Sequence, residues 1–136
     1  MDNALQIEAK VSNLDQVLDF VNGYLETLGC PAKTVRKLDL AVEEIFVNIA
    51  SYAYGEEAGL ATLRIETIED PLAVELVFLD RGNPYNPLEK EDPDLSLPAE
   101  ERPIGGLGIF VVKNMVDDLA YEFKDGQNIL KMRKVL

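Results

Sequence analysis

The sequence predicts an α+β protein, a two-layer sandwich with helices on one face of a mostly antiparallel sheet. Two observations lead to this fold class. The spacing of apolar residues changes from every second residue to every third and fourth and back again, which separates half-buried strands from amphipathic helices. The resulting order is strand, helix, helix, strand, strand, loop, helix, strand, strand, and this order is typical of a helical layer on a single sheet.

The first half of the chain is predicted to form one strand and two helices. Residues 4 to 11 alternate apolar and polar side chains, as a half-buried strand does. From residue 13 to 28 the apolar positions recur every three or four residues, and a glycine and a proline come after them as a helix stop. A second helix is predicted from about Ala32 to near Gly55, with a buried side that includes Leu38, Val42, Ile45 and Ile49.

The second half contains the remaining predicted strands, the third helix and a long loop. Residues 84 to 104 hold five of the seven prolines and six acidic residues without a periodic pattern, so we expect a mobile loop or lid. Turn residues separate the strands from one another. The strands are predicted at residues 60–68, 72–79, 119–123 and 128–136, and the helix at residues 109–116.

The composition favours one globular domain that spans residues 1 to 136. The chain is 47% hydrophobic and 28% charged, an ordinary balance for a domain of this size. No apolar run approaches the ~20 residues that cross a bilayer, and the N-terminus lacks the pattern of an export signal. Cys30 has no cysteine to pair with, which fits a reducing compartment. We therefore expect a cytoplasmic protein that does not act at a membrane.

Charge and residue types exclude several function classes. The net charge is -12 with no basic patch, so the surface would repel nucleic-acid phosphates and anionic lipids. The chain has no histidine, which excludes a histidine general base, a histidine metal site and phosphoryl transfer to its own histidine. A nucleotide could bind only where backbone N–H groups, a helix N-terminus and a divalent cation compensate the charge locally.

The second predicted helix carries a pair of polar residues beside its buried side. Glu44 and Asn48 are four residues apart, so they lie one above the other on one helix face. Small residues separate the polar ones along this strip, as they do where a helix lines a cleft. A solvated face with an ordinary Glu–Asn pair would have the same pattern, so this feature alone leaves both interpretations open.

Two segments further along the chain contain glycine. Asp80-Arg81-Gly82 comes directly at the end of an apolar strand, which places a carboxylate at a sheet end, although the same residues also form simple turns. Gly105-Gly106-Leu107-Gly108 opens the third helix, where backbone N–H groups and the helix N-terminus can hold a phosphate. A flexible hinge would have similar glycines, and the lysine and Ser/Thr of a P-loop are absent.

In this order, the three segments resemble the Bergerat-fold ATPase superfamily, which includes gyrase-type ATPases and histidine-kinase catalytic domains. The chain is most similar to the anti-sigma-factor serine/threonine kinases. Their Glu-x-x-x-Asn motif corresponds to Glu44-Ile45-Phe46-Val47-Asn48, followed six residues later by Tyr54. Their glycine boxes correspond to Asp80-Arg81-Gly82 and Gly106-Leu107-Gly108, and Gly126-Gln127-Asn128 matches near the last strand. The resemblance spans residues 5 to 135.

The resemblance implies a histidine-kinase-like ATPase domain that uses ATP and Mg²⁺. It implies that Asn48 holds Mg²⁺, that Glu44 is the general base and that residues 84–104 are the ATP lid. It also implies further ATP-binding residues. Asp80 would bond the adenine amino group, Gly82 would leave room for the base, Arg102 would contact phosphate, and Gly105, Gly106, Leu107 and Gly108 would form the phosphate cradle.

The sequence departs from the family pattern at three places. Tyr52 stands where many of these kinases have histidine four residues after the asparagine. The first glycine box continues through residues 83–87 without its second glycine, which changes the predicted hinge of the lid. Pro103 and Ile104 alter the spacing between Arg102 and the second glycine box.

The resemblance implies an ATP-dependent serine/threonine kinase that sequesters a sigma factor and phosphorylates an anti-sigma-factor antagonist. Its partners would be those two proteins, with a homodimer possible and nucleic acid and membrane excluded. A second interpretation is a non-catalytic switch module that uses ATP only to order its lid and change partners. A third is an acidic scaffold domain that binds no nucleotide, which requires all three motifs to be accidental.

Overall fold

The computed structural model describes residues 3–54, 59–69, 71–89 and 107–136. This part of the chain forms three α-helices and five β-strands. Val11–Asn13 and Pro87–Glu89 form 3-10 turns, and Ile49–Ala53 forms a π-helical turn. The elements are β1 (Ala4–Glu8), α1 (Leu14–Thr27), α2 (Ala32–Asn48), β2 (Leu60–Ile68), β3 (Ala73–Asp80), α3 (Leu107–Met115), β4 (Asp118–Lys124) and β5 (Gln127–Val135).

The strands form one sheet in the order β1-β2-β3-β5-β4, and every neighbouring pair is antiparallel. The register of the three inner strands determines which side chains meet at the end of β3. Asp80, the last residue of β3, pairs with Ala61 on one side and with Asn128 on the other. Residues that pair directly across a sheet project from the same face. The side chains of Asp80 and Asn128 are therefore neighbours.

The helices cover one face of the sheet, so the predicted α+β two-layer sandwich is confirmed. Alternate residues of the inner strands are buried with the apolar sides of the helices in one core. Leu38 and Val42 of α2 have no exposed surface, and neither has Leu76 of β3. No helix in the described part of the chain is long and apolar enough to cross a bilayer.

The element bounds differ from the prediction mainly at two places. The first strand ends at Glu8 and does not reach residue 11, because the chain turns into the 3-10 segment that precedes α1. The α-helical part of α2 ends at Asn48, whereas the apolar pattern predicted a helix to near Gly55. From Ile49 the backbone widens into the π-helical turn. Residues 90–106, the larger part of the predicted lid, lie outside the described residues.

Candidate functional site

A pocket of about 400 Å³, open solvent at its mouth included, lies between α2 and the central strands. Most of its wall is apolar, with a few polar groups placed among the apolar ones. Such a composition is typical of pockets that bind small organic molecules. The lining residues are Ile45, Asn48, Ile49, Ala53, Phe78, Asp80, Tyr85, Pro87, Tyr121, Asn128 and Leu130.

Asp80 is the charged residue of this pocket, and only 5% of its surface is exposed. Burial raises the pKa of its carboxyl group, while hydrogen bonds from Asn128 and Gly82 oppose that rise. Both donors approach the same atom: Oδ1 accepts from the Asn128 amide at 2.8 Å and from the Gly82 N–H at 2.9 Å. The described residues place no hydrogen-bond donor on Oδ2, which leaves an acceptor for a ligand in the pocket.

Asn128 holds the loop after β3 against β5. Its Nδ2 donates to Asp80 and, at 2.9 Å, to the carbonyl oxygen of Asn83. Its Oδ1 accepts from the Tyr85 N–H at 3.2 Å and from the hydroxyl of Tyr121. An amide side chain has two N–H donors and one carbonyl acceptor with two lone pairs, so this network uses its full capacity. The orientation of Asn128 is thereby determined.

The same loop packs against the π-helical turn at the end of α2. A methyl group at Gly82 would lie 2.6 Å from Ala53 Cβ and closer still to the Ala53 carbonyl group. The Asn83 N–H donates to that carbonyl oxygen at 2.6 Å, and the Arg81 N–H donates to the Tyr54 hydroxyl at 2.8 Å. The widened turn of α2 therefore presents a backbone carbonyl to the loop. Gly82 is needed there because no side chain fits.

Glu44 and Asn48 lie one helical turn apart on α2, and both are half-buried. Asn48 lines the pocket, and its amide has no hydrogen-bond partner among the described residues. Glu44 lies outside the pocket lining, next to the beginning of α3. A Cβ at Gly108 would be 3.0 Å from Glu44 Cδ and closer to Oε2, so the carboxylate fits because residue 108 has no side chain. The positive end of α3 favours a carboxylate there.

The structure brings together some of the residues that the sequence analysis singled out. Asn48 and Asp80 share the pocket, and Gly82 lies in the loop beside it. Glu44 and Gly108 are in contact at the junction of α2 and α3, and Leu107 is the first residue of α3. Arg102, Gly105 and Gly106 lie outside the described residues.

Two aromatic residues of the site were not predicted from the sequence. Tyr85 and Tyr121 both line the pocket and both contact Asn128. Tyr121 projects from β4 towards the helices, but the sequence pattern of LAYEF indicates only a half-buried strand. The position of Tyr121 opposite Leu130 depends on the β4–β5 register, which the Asp125-Gly126 turn could have indicated.

Comparison with known proteins identifies the family. A family model for the histidine kinase-like ATPase domain matches residues 7–134. The chain belongs to this family. Serine-protein kinase RsbW of Bacillus cereus is 25% identical over 135 residues, which covers 96% of this chain and 83% of the relative. Serine-protein kinase RsbW of Bacillus mycoides has the same identity and coverage. The resemblance to the anti-sigma kinase branch of the Bergerat-fold superfamily is confirmed.

Solved structures have the same fold. The crystal structure of the RsbU and RsbW domains of Rv1364c from Mycobacterium tuberculosis superposes with a TM-score of 0.66 at 14% identity, covering 99% of this chain. This chain spans 33% of that longer one. The histidine kinase domain from the Erythrobacter litoralis EL346 blue-light activated histidine kinase gives a TM-score of 0.58 at 18% identity over 79% of this chain. At such low sequence identities, the superpositions show a shared fold and no more.

Gly82→Ala tests the close packing of the loop on the π-helical turn. The added methyl group must displace backbone at Ala53, so we expect the free energy of unfolding to fall by about 1–3 kcal/mol. Gly23→Ala is the matched control, since Gly23 lies inside α1 with open space around it. There the same change should stabilise the protein by roughly 0.5–1 kcal/mol. Urea unfolding measures both, and an unchanged Gly82→Ala stability would contradict the packing described here.

Asp80→Asn tests the cost of the buried carboxylate. The raised pKa means that the folded state binds this proton more tightly than the unfolded state does, so the stability that the proton contributes is present at low pH and is lost as the pH rises through the folded-state pKa. Asparagine keeps the Oδ1 acceptor and carries no charge. We expect Asp80→Asn to be more stable than wild type at pH 7, with the difference shrinking towards pH 4.

Urea unfolding between about pH 4 and pH 8 measures this difference, within the range where carboxylates titrate. Asp125→Asn, in the exposed turn between β4 and β5, removes one negative charge without burial and is the control. If Asp80→Asn is less stable than wild type at every pH, the carboxylate does not cost the fold stability.

Proposed function

We propose that the chain is an ATP-dependent protein serine/threonine kinase of the anti-sigma type. It would bind ATP with Mg²⁺ in the pocket, sequester a sigma factor and phosphorylate an anti-sigma-factor antagonist. One observation carries the proposal: a buried acceptor, Asp80, and a half-buried amide, Asn48, line one pocket, with the Glu44 carboxylate one helical turn from that amide. The name of the RsbW relatives, serine-protein kinase, supports the same activity.

The pocket suits an adenine ring. Its lining includes the aromatic side chain of Tyr121 and the aliphatic side chains of Ile45 and Ile49, and an aromatic base buries well against such groups. Oδ2 of Asp80 is an acceptor without a donor from the described residues. An ionised carboxylate accepts from the exocyclic amino group of adenine, whereas guanine has a carbonyl oxygen at that ring position. Asp80 would thus select adenine.

The described side chains can bind Mg²⁺ only if phosphate oxygens of the nucleotide complete the coordination of the metal. No group of three or more Asp, Glu, Cys or His side chains able to hold a metal occurs among the described residues. The Asn48 amide oxygen is a hard ligand, which Mg²⁺ accepts together with phosphate oxygens and water. When bound, Mg²⁺ would offset the charge of the phosphates, which is necessary in a protein with a net charge of -12.

Glu44 would act as the general base. One helical turn separates its carboxylate from the Asn48 amide, so the base stands beside the metal ligand without being one. A carboxylate there can accept the proton of a serine or threonine hydroxyl from a protein substrate. The residues of the cradle expected at Gly105, Gly106, Leu107 and Gly108 would hold phosphate beside Glu44, since Gly108 contacts Glu44.

Several expectations from the sequence complete the proposal. Residues 84–104, with Arg102 as a phosphate contact, would form the ATP lid of a single domain spanning residues 1 to 136. The protein would act in the cytoplasm, with a homodimer as a candidate assembly. Nucleic acid and membranes are not proposed partners, because the net charge of -12 would repel their phosphates.

The decisive experiment separates ATP binding from phosphoryl transfer. Antagonist proteins of the anti-sigma type from the same genome are purified and incubated with the chain, Mg²⁺ and ATP labelled at the γ-phosphate. We expect wild type to label a serine or threonine of one of them. Glu44→Gln keeps the shape and removes the proton acceptor, so it should lower transfer by about 10²–10⁴-fold at unchanged ATP affinity.

Two further variants serve as controls. Glu43→Gln changes the neighbouring exposed glutamate and should transfer at the wild-type rate. Asn48→Ala should weaken Mg²⁺-dependent ATP binding in calorimetry with and without EDTA. If wild type binds ATP and labels no antagonist, the protein is a nucleotide-gated switch module. If Glu44→Gln transfers at the wild-type rate, Glu44 is not the base.

A further inference from the structure

The face of α2 that carries Glu44 and Asn48 continues towards the N-terminus of the helix. Lys33, Lys37 and Leu40 precede Glu44 at spacings of four, three and four residues, and this spacing keeps side chains on one helix face. Lys33 and Leu40 are exposed, Lys37 is half-buried, and Glu44 and Asn48 are half-buried at the site. The face therefore leads from open surface into the candidate active site, over roughly 17 Å from Lys33 to Glu44.

Three cations gather at the beginning of this face, since Arg36 is exposed beside Lys33 and Lys37. None of the three has an ion-pair partner among the described residues. No acidic residue lies in the first turn of α2. Asp39, the acidic residue next along the helix, accepts from Asn22 of α1 at 2.7 Å. The cluster corrects the expectation from the sequence that the chain has no basic patch, because the net charge of -12 hides these three cations.

This arrangement is unfavourable for the helix itself. Cations near a helix N-terminus oppose the helix dipole, and like charges three or four residues apart repel each other. Each effect amounts to a few tenths of a kcal/mol. The first turn of α1 has an acidic residue, Asp15, whereas the first turn of α2 has Lys33 and no acidic residue. Such departures are expected where a surface serves a function other than stability.

Leu40 adds an apolar contact between the cations and Glu44. It is 47% exposed, whereas Leu38 on the same helix has no exposed surface. A single exposed leucine is common in proteins. Here, however, it stands on the line that joins the cations to Glu44, so a chain segment bound by the cations and reaching Glu44 would cover it.

We propose that Lys33, Arg36, Lys37 and Leu40, the α2 docking face, bind an acidic segment of the protein that presents the phosphoacceptor hydroxyl to Glu44. The proposal rests on the kinase function proposed above. Two observations select this occupant: the cluster of cations without ion-pair partners among the described residues attracts negative side chains, and the face is continuous with the proposed general base. Along α2, Glu44 lies about 10 Å from Lys37 and about 17 Å from Lys33. A protein substrate bound to this face would therefore have its acidic groups about 10–17 Å from the hydroxyl that is phosphorylated.

The test compares two double variants that change the net charge equally. Lys33→Glu/Lys37→Glu reverses the charge of the docking face. Lys124→Glu/Lys131→Glu reverses two exposed lysines of β4 and β5, on the sheet face away from the helices. The probe is the purified antagonist protein of the same genome that wild type phosphorylates, and thermal unfolding verifies that each variant folds.

We expect the docking-face variant to raise the KM for the antagonist about tenfold at low salt, with kcat at saturation and the Kd for ATP within about twofold of wild type. The rise should shrink at 0.5 M NaCl, because salt screens exposed charges. Leu40→Ala should raise the KM several-fold without that salt dependence. Equal KM values for the two double variants would overturn the proposal.

Direct binding of the antagonist, measured by calorimetry with wild type and both double variants, separates this proposal from the proposed function. Wild type could bind an antagonist of its genome without phosphorylating any. If the docking-face variant then loses that binding, the proposed kinase function is wrong and the proposed docking face is supported. If binding is absent, or equal in both variants, the docking face is overturned.

The same variants would also reveal two other occupants of the docking face. Residues 90–106 of this chain contain five acidic side chains, and if the cations hold that segment, the docking-face variant will change the Kd for ATP and leave the antagonist KM unchanged. If a second copy occupies the face, the variant will change the sedimentation of the protein and not the antagonist KM. Either result overturns the proposal.

Discussion

The candidate site depends on the hydrogen bonds that stabilise one buried carboxylate, that of Asp80. A carboxylate that is largely removed from water is costly unless donors reach it. Asp80 receives two, one from its own loop through Gly82 and one across the sheet from Asn128. The second donor is present because the β3–β5 register pairs Asp80 with Asn128. A slip of one residue would turn Asn128 to the opposite face of the sheet and leave the carboxylate without it.

The donors that stabilise Asp80 also organise the chain around the pocket. Asn128 bonds to Asn83 and Tyr85 as well as to Asp80, so the loop that leads towards residues 90–106 is attached to the same amide as the carboxylate. Gly82 and the Asn83 N–H meet the Ala53 carbonyl, which the π-helical turn exposes. The pocket, the end of α2 and this loop are therefore one hydrogen-bonded unit. A ligand that bonds to Asp80 would contact the carboxylate to which both Asn128 and Gly82 donate.

The local spacing of apolar residues predicted the fold well. A half-buried strand buries every second residue and an amphipathic helix buries every third and fourth, whatever the distant contacts are. The predicted strand at residues 60–68 has the bounds of β2. Leu38, Val42 and Ile45 of α2 are buried as expected, and so is Ile49 at the start of the π-helical turn. The π-helical turn was predicted as α-helix, because the loop at Gly82 and Asn83 that packs against it is far away in the sequence. The contact of Tyr121 with Asn128 was not predicted because it depends on the register of β4 against β5. The family motif identified Glu44, Asn48 and Asp80 as candidates, but only the fold explains how one amide positions Asp80.

A crystal structure of the chain with Mg²⁺ and a non-hydrolysable ATP analogue tests the proposed nucleotide site most directly. We expect the adenine ring to lie in the pocket between α2 and β5, with its exocyclic amino group within about 3 Å of Asp80 Oδ2, the usual length of such a hydrogen bond. We also expect the Asn48 amide oxygen to coordinate the metal. An analogue bound elsewhere on the protein, or a base held in this pocket without contact to Asp80, would contradict the assignment of the site.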